Sequence, residues 1–316
     1  MDNIKEQLKN SVRGQLTFDA DMAKVVWFRT GGRADLFFEP EDEADLATFL
    51  RILPNNFPLY IVGFGSNLLV RDGGLRGAVL RLGAKKFGEI KLTGDNQVYA
   101  QCGVSDKKLS LFAAENNIGG FHFYSGIPGN LGGAIAMNAG ANGTETAEVM
   151  VSARCMDRTG NIINLSKEDL GFAYRRCAVN SEYIFLDAIL EGYPSDKEII
   201  LKQIAEVIKH REEVQPVRDK TGGSTFKNLP HKSAWKAIDE ASCRGLTYGG
   251  AMMSEKHCNF MINSGNATAY DLEKLGEIVR EKVFNHSGDL LSWEIKRLGS
   301  FLEGKEVNSF ELNIKK

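Results

Sequence analysis

One stretch limits this 316-residue chain more than any other: YSGIPGNLGGAIAMNAGANGTET, at positions 124–146. Gly126, Gly129, Gly132, Gly133, Gly140 and Gly143 strip side chains from a long run of backbone. The apolar content, Ile135 and Met137, is too thin for an ordinary core helix. Two readings stand. The bare backbone is a surface against which a flat, bulky ligand lies, or it is a glycine-rich connector packed on an earlier glycine loop.

That earlier loop is GFGSN (63–67). It follows an apolar strand, PLYIVG (58–63), and leads into another apolar run. Gly63 and Gly65 would let backbone N–H groups approach an anion, with Ser66 and Asn67 adding donors. The third glycine of a dinucleotide fingerprint would fall at position 68, which is Leu68, and no Walker lysine motif is present. A plain strand-to-strand turn also explains the loop, and on this loop alone it is the favoured reading.

Around these loops, strands and helices mix without strict alternation, which predicts an α+β fold. Strands are expected at 34–40, 78–82, 97–103, 149–157, 182–193 and 289–299. Helices are expected at 41–53, 105–117, 195–213, 231–241 and 268–288. Ser105 suits a cap, Ser195 and Glu198 a capping box, and Thr268, Asp271 and Gly288 the ends of the last helix. The main boundary is expected near Tyr193 and Pro194, and the tail from Glu303 is charged and reads as loose.

The formal charge of −2 gives no whole-chain reason to expect nucleic acid. MDNIKEQLKN is not a signal peptide, and no run of 18 apolar residues predicts membrane insertion. Five scattered cysteines without a C-x-x-C pair suit reduced thiols in a cytoplasm. Five unclustered histidines give no protein metal site, and nothing in the chain calls for an obligate protein partner.

Single residues carry the remaining chemistry. Tyr174 and Arg175 sit together, and an arginine can fork onto a carboxylate. By period two, Glu294 shares a face with Ser292 and Lys296, opposite Trp293 and Ile295. In TGGSTFKN (221–228) two glycines present Ser224 beside Lys227 and Asn228, and the stretch reads as a turn. Ser224 lies in no G-x-S-x-G elbow and has no histidine in an obvious partner position. A serine hydroxyl also protonates a strongly basic carbon when nearby charges stabilise the alkoxide left behind.

Eight segments in order resemble one family, the UDP-N-acetylenolpyruvoylglucosamine reductases (MurB). They are FRTGGRADLF, GFGSNLLV, SGIPGNLGGAIAMNAGANG, YR, GGSTFKN, AWKAIDEA, YGGAMMSEKHCNFMIN and LSWEIKRLG, spread from about residue 20 to 302. The resemblance implies an α+β, non-Rossmann FAD-binding region of the vanillyl-alcohol-oxidase (PCMH) type in two parts, 1–80 and 81–194. A smaller α+β substrate-binding domain, 195–302, and a tail, 303–316, follow. It implies non-covalent FAD, NADPH as co-substrate and UDP-N-acetylglucosamine enolpyruvate as substrate, in ping-pong order, for peptidoglycan precursor synthesis.

Residue by residue, Ser224 matches the family's proton donor, Arg175 the arginine of the YR pair and Glu294 the C-terminal acid. Gly63, Gly65, Ser66, Asn67 and Leu68 match the segment that holds the flavin pyrophosphate. Gly126, Ile127, Pro128, Gly129, Gly132, Gly133, Ala134 and Asn138 match the segment along the flavin. Tyr174, Lys227, Asn228 and Lys236 match substrate contacts. Phe64, Leu229, Arg176 and Cys177 depart from the commoner pattern. With 48 residues between Arg175 and Ser224, the chain resembles the subtype without an extra tyrosine-bearing loop. An oxidase of the same architecture and a colourless nucleotide-sugar binder are the rival readings.

Overall fold

The structure, a computed structural model, describes residues 2–179 and 181–311. The chain forms two compact units, each assembled from separated segments. The first comprises Met1–Phe18, Leu36–Phe64 and Gly77–His210; the second comprises Asp19–Asp35, Gly65–Arg76 and Arg211–Lys316. This differs from the sequential division expected from the chain order. Residues 19–35 and 65–76 belong with the C-terminal part, and the last crossing falls at residue 210 and not near Tyr193.

Two large hydrophobic cores lie in the first unit. One gathers Leu8, Phe38, Phe49 and Leu80, where the helices Asp2–Ser11 and Glu43–Ile52 meet a four-stranded sheet. Phe38 and Phe49 stack there with ring centroids 4.3 Å apart. Glu43–Ile52 starts where Asp42 accepts the Asp45 amide, so a side chain takes one of the N-terminal donors the helix cannot satisfy itself. The other core lies on a five-stranded antiparallel sheet in the order 162–166, 150–156, 184–191, 97–101, 90–94. Leu109, Phe123, Tyr124, Leu131 and Ile135 cover its face.

Two elements here escape sequence reading. Ile162–Ser166 is an edge strand inside the turn-rich insert. Leu131–Met137 is a seven-residue helix within the glycine-rich stretch. The expected shortage of apolar residues is overcome by length. A two-turn helix needs few anchors, and Leu131, Ala134 and Ile135 are buried. Lys197–Val214 forms as expected over Ile200, Ile204 and Val207. At its start it is Asn117, not Ser195, whose side-chain oxygen accepts the Lys197 amide, at 3.1 Å.

The second unit centres on Ala269–Ser287, which starts where expected, with a Thr268–Asp271 capping box, and stops at Gly288 in the left-handed region. Its buried face, with Leu272, Leu275, Val279 and Val283, packs on Met253, Met261 and Phe226. The sheet beneath runs Lys220–Ser224, Phe260–Asn263, Ala251–Met253, Thr247–Tyr248, all antiparallel. A separate parallel pair joins Leu68–Val70 to Lys296–Leu298.

Candidate functional site

The 63–67 loop leaves backbone donors unused. The amides of Gly63, Phe64, Gly65 and Ser66 donate to no acceptor among the described residues. Successive unmet N–H groups make an anion-binding concavity, and an uncompensated donor is costly unless a ligand or water takes it. The residues present therefore fit a pyrophosphate. The glycines have a second cause that sequence reading missed. A Cβ on Gly65, at φ +72°, would lie 2.5 Å from the Val25 carbonyl oxygen, and one on Gly63 would lie 2.3 Å from Asn130 Oδ1. Leu68 is buried at the start of a strand and offers backbone only.

The same correction applies to the glycine-rich segment. A Cβ would come within 2.9 Å of Val207 at Gly126, 2.7 Å of Asp106 Oδ2 at Gly129 and 3.1 Å of Cys102 at Gly132. Their bareness serves the chain's own packing as well as any ligand, and Asn130 joins this segment to the first glycine loop, as the connector reading holds. Gly126, Ile127, Pro128, Gly129, Gly132 and Gly133 nonetheless remain half-exposed, a strip of backbone with a buried floor. Asn130 also accepts from the Gly133 amide at 3.3 Å. In that floor Asp106 is fully buried, neither carboxyl oxygen has a hydrogen-bond partner among the described residues, and burial pushes its carboxyl pKa well above the usual range.

Ala134 is buried in the helix, and Asn138 closes it at φ +47° with no exposed surface. The Asn138 side chain donates to the Ala173 carbonyl at 3.1 Å and accepts from the Ala147 amide at 2.9 Å. It thus acts inside the protein and ties the strip to the turn at 173–176. That turn is closed in both directions between Ala173 and Arg176, with Tyr174 and Arg175 at its tip. Arg175 has φ +54°. A left-handed non-glycine residue holds strain of order 1–3 kcal/mol, and such positions concentrate at functional sites. Its guanidinium lies 4.9 Å from the Tyr174 ring centre, and the tyrosine is half-exposed.

In the second unit, TGGSTFKN is not a free turn. Lys220–Ser224 is a strand, and its pairing passes from Thr221↔Ile262 to Ser224↔Phe260, so one extra residue bulges at the glycine pair. Gly223 takes φ +80°, and Gly222 packs so closely on Phe28 that a Cβ would lie 2.4 Å from the ring. The bulge leaves Ser224 half-exposed while Thr225 and Phe226 are buried. Asn259 fastens this segment by bonds to both the amide and carbonyl of Phe226, at 3.0 and 2.9 Å.

Glu294 lies beside it. Its amide donates to the Thr225 carbonyl at 2.9 Å, and the Lys227 amide donates to Ser292 at 2.8 Å. The Asn67 side chain reaches the Glu294 carbonyl at 3.3 Å. The expected strand at 289–299 is regular only over Lys296–Leu298, because the chain changes partner: through Ile295 it bonds to Thr225, and from Lys296 to Asn67. Ser224, Asn67 and Glu294 are thereby brought onto neighbouring backbone, whereas Arg175 belongs to the first unit. Asn228 is exposed, and its oxygen caps the helix Ala234–Glu240 by accepting the Ala234 amide at 3.0 Å. Lys236 is exposed on that helix, 5.6 Å from the Trp235 ring centre. Asn130, Thr225 and Asn259 hold the site yet carry no signal in one sequence, since each works through contacts distant along the chain.

The model of an FAD binding domain matches residues 34–166, and that of the UDP-N-acetylenolpyruvoylglucosamine reductase C-terminal domain matches 215–298. The crystal structure of UDP-N-acetylenolpyruvylglucosamine reductase (MurB) from Thermus caldophilus is 30% identical over 91% of this chain and 99% of that one, at a TM-score of 0.78. Similarity to 6-hydroxy-D-nicotine oxidase from Arthrobacter nicotinovorans is lower: 20% identity over 58% of this chain and 43% of that one, at 0.48. The two domain matches and the reductase match over nearly the whole length together show that this chain belongs to the UDP-N-acetylenolpyruvoylglucosamine reductase (MurB) family and is an FAD-dependent oxidoreductase.

Proposed function

We propose that the chain uses NADPH to reduce UDP-N-acetylglucosamine enolpyruvate to UDP-N-acetylmuramate, with Ser224, Arg175 and Glu294 acting on the substrate. The 63–67 amides and the 126–133 strip would hold FAD without a covalent bond. Bound FAD supplies the hydride, which adds to the terminal carbon of the enol ether. Negative charge then rests on the neighbouring carbon and its carboxylate. The Arg175 guanidinium matches that carboxylate with two parallel donors. The Ser224 hydroxyl gives its proton to the charged carbon, and Glu294 stabilises the enol-like species. Tyr174, Lys227, Asn228 and Lys236 are assigned to the substrate; the Asn228 oxygen already accepts one bond in capping a helix, and its amide NH2 faces no such demand among the described residues.

The observation that carries this reading is the bulge. It presents Ser224 half-exposed on a segment whose next residue accepts the Glu294 amide at 2.9 Å. We place the activity in the cytoplasm: all five cysteines are buried and none is in a disulfide. Among the described residues no helix is long and apolar enough to cross a membrane.

Stopped-flow absorbance tests the proton donor, because the two halves of the cycle are observed separately. Ser224→Ala should leave flavin reduction by NADPH nearly intact and slow reoxidation by the enolpyruvyl substrate by about 10²–10⁴-fold. If both rates fell together, Ser224 would be a structural residue. If neither fell, another group would be the donor.

A further inference from the structure

The tail from Glu303 is expected to be loose; residues 312–316 lie outside the described residues, and the part through Glu311 is docked. Val307 is buried, and the Phe310 ring packs edge-on against Phe284 at 5.5 Å. The Phe310 amide donates to Glu277 Oε2 at 2.8 Å. Arg280, only 1% exposed, bonds to Glu277 at 2.7 Å, to Ser309 at 3.2 Å and to Glu311. The third guanidinium nitrogen, Nε, donates to the Leu291 carbonyl at 2.8 Å. Glu277 Oε1 accepts from the Trp293 indole at 2.8 Å and from Arg297 at 3.2 Å. Arg297 also reaches Glu273, which holds Arg71 by two bonds of 2.9 Å.

Three guanidinium groups face two buried carboxylates here. Among the described residues the pairing balances only when Glu311 is counted, and a buried charge left without its partner is strongly destabilising. The network also grips residues on both sides of Glu294. Leu291 and Trp293 are held directly, and the Arg297 guanidinium lies 4.4 Å from the Trp293 ring centre. The Trp293 ring lies so close to Gly276 that a Cβ there would be 2.1 Å from it, so the indole has a single seat.

We propose that the tail segment 307–311, through Arg280 and Glu277, is a positioning element for Glu294. It completes the charge of a buried network whose far side fixes Leu291, Trp293 and Arg297, the residues that bracket Glu294. The inference rests on the catalytic reading of Glu294 given above.

The test compares the holoenzyme with Glu311→Ala, with a chain ending at Glu306, and with each change combined with Glu294→Gln. Flavin content and both half-reactions are followed. Flavin content and reduction by NADPH should stay within about twofold of the parent. Reoxidation by UDP-N-acetylglucosamine enolpyruvate should slow by at least about tenfold, the scale of a small misplacement of an acting group. In the Glu294→Gln background the tail changes should add little. Unchanged reoxidation in Glu311→Ala, equal losses in both halves, or full additivity with Glu294→Gln would each overturn the proposal. Wild-type reoxidation in Glu294→Gln alone would overturn the catalytic reading of Glu294, and the proposal with it.

Discussion

Asp106 offers a pH test of the cofactor segment's floor. It begins the helix Asp106–Glu115, has no exposed surface and lies so close to Gly129 that a Cβ there would be 2.7 Å from its Oδ2. Neither oxygen has a hydrogen-bond partner among the described residues, and burial alone raises its ionisation well above the usual range. In the unfolded chain an aspartate ionises near about 3.9. The folded protein therefore keeps a proton that the unfolded chain has released, and stability falls as pH rises. The contribution is complete below the unfolded value and is lost as pH climbs through the folded one. Within that window the slope is about 1.4 kcal/mol per pH unit. Asp106→Asn keeps the shape and removes the titration. Urea unfolding of both proteins, saturated with FAD at about pH 5, 6 and 7, should show the variant gaining on the parent as pH rises. A difference independent of pH would mean that the carboxyl is ionised or partnered, and the reasoning would fail.

Three further outcomes follow from the first unit. Arg175→Gly relieves a left-handed residue at φ +54°, so thermal unfolding should show no loss of stability and up to about 1 kcal/mol of gain, while turnover collapses. Arg175→Lys keeps the charge without the planar fork, and turnover should fall far more than flavin content; matching losses would mark a structural arginine. Asn138→Ala removes two buried hydrogen bonds and a left-handed helix end. It should cost about 3 kcal/mol in denaturant unfolding, and a cost below about 1 kcal/mol would show that the turn at 173–176 is held by other contacts.

Local chemistry was legible where one segment suffices. Ser105, Thr268 and Gly288 mark helix ends because capping depends on residues three or four apart. The order of motifs gave the family, and the structural match supports it. What could not be read depends on distant partners. The glycine pair at 222–223 looks like a turn until Phe260–Asn263 pairs with it and makes it a bulge. Gly63, Gly126 and Gly129 look like a ligand surface until Asn130, Val207 and Asp106 are found where their side chains would be. Residues 19–35 carry no sign that they join the C-terminal unit. The tail reads as solvated charge because Arg280 and Glu277, its partners, lie thirty residues earlier.

The most direct measurement is one anaerobic cycle followed by visible absorbance. The purified protein should be yellow and should release FAD on acid precipitation. One equivalent of NADPH should bleach the flavin band, and one equivalent of UDP-N-acetylglucosamine enolpyruvate should restore it with UDP-N-acetylmuramate formed. A colourless protein that FAD cannot reconstitute, or a bleached band that returns only on admission of oxygen, would contradict the account.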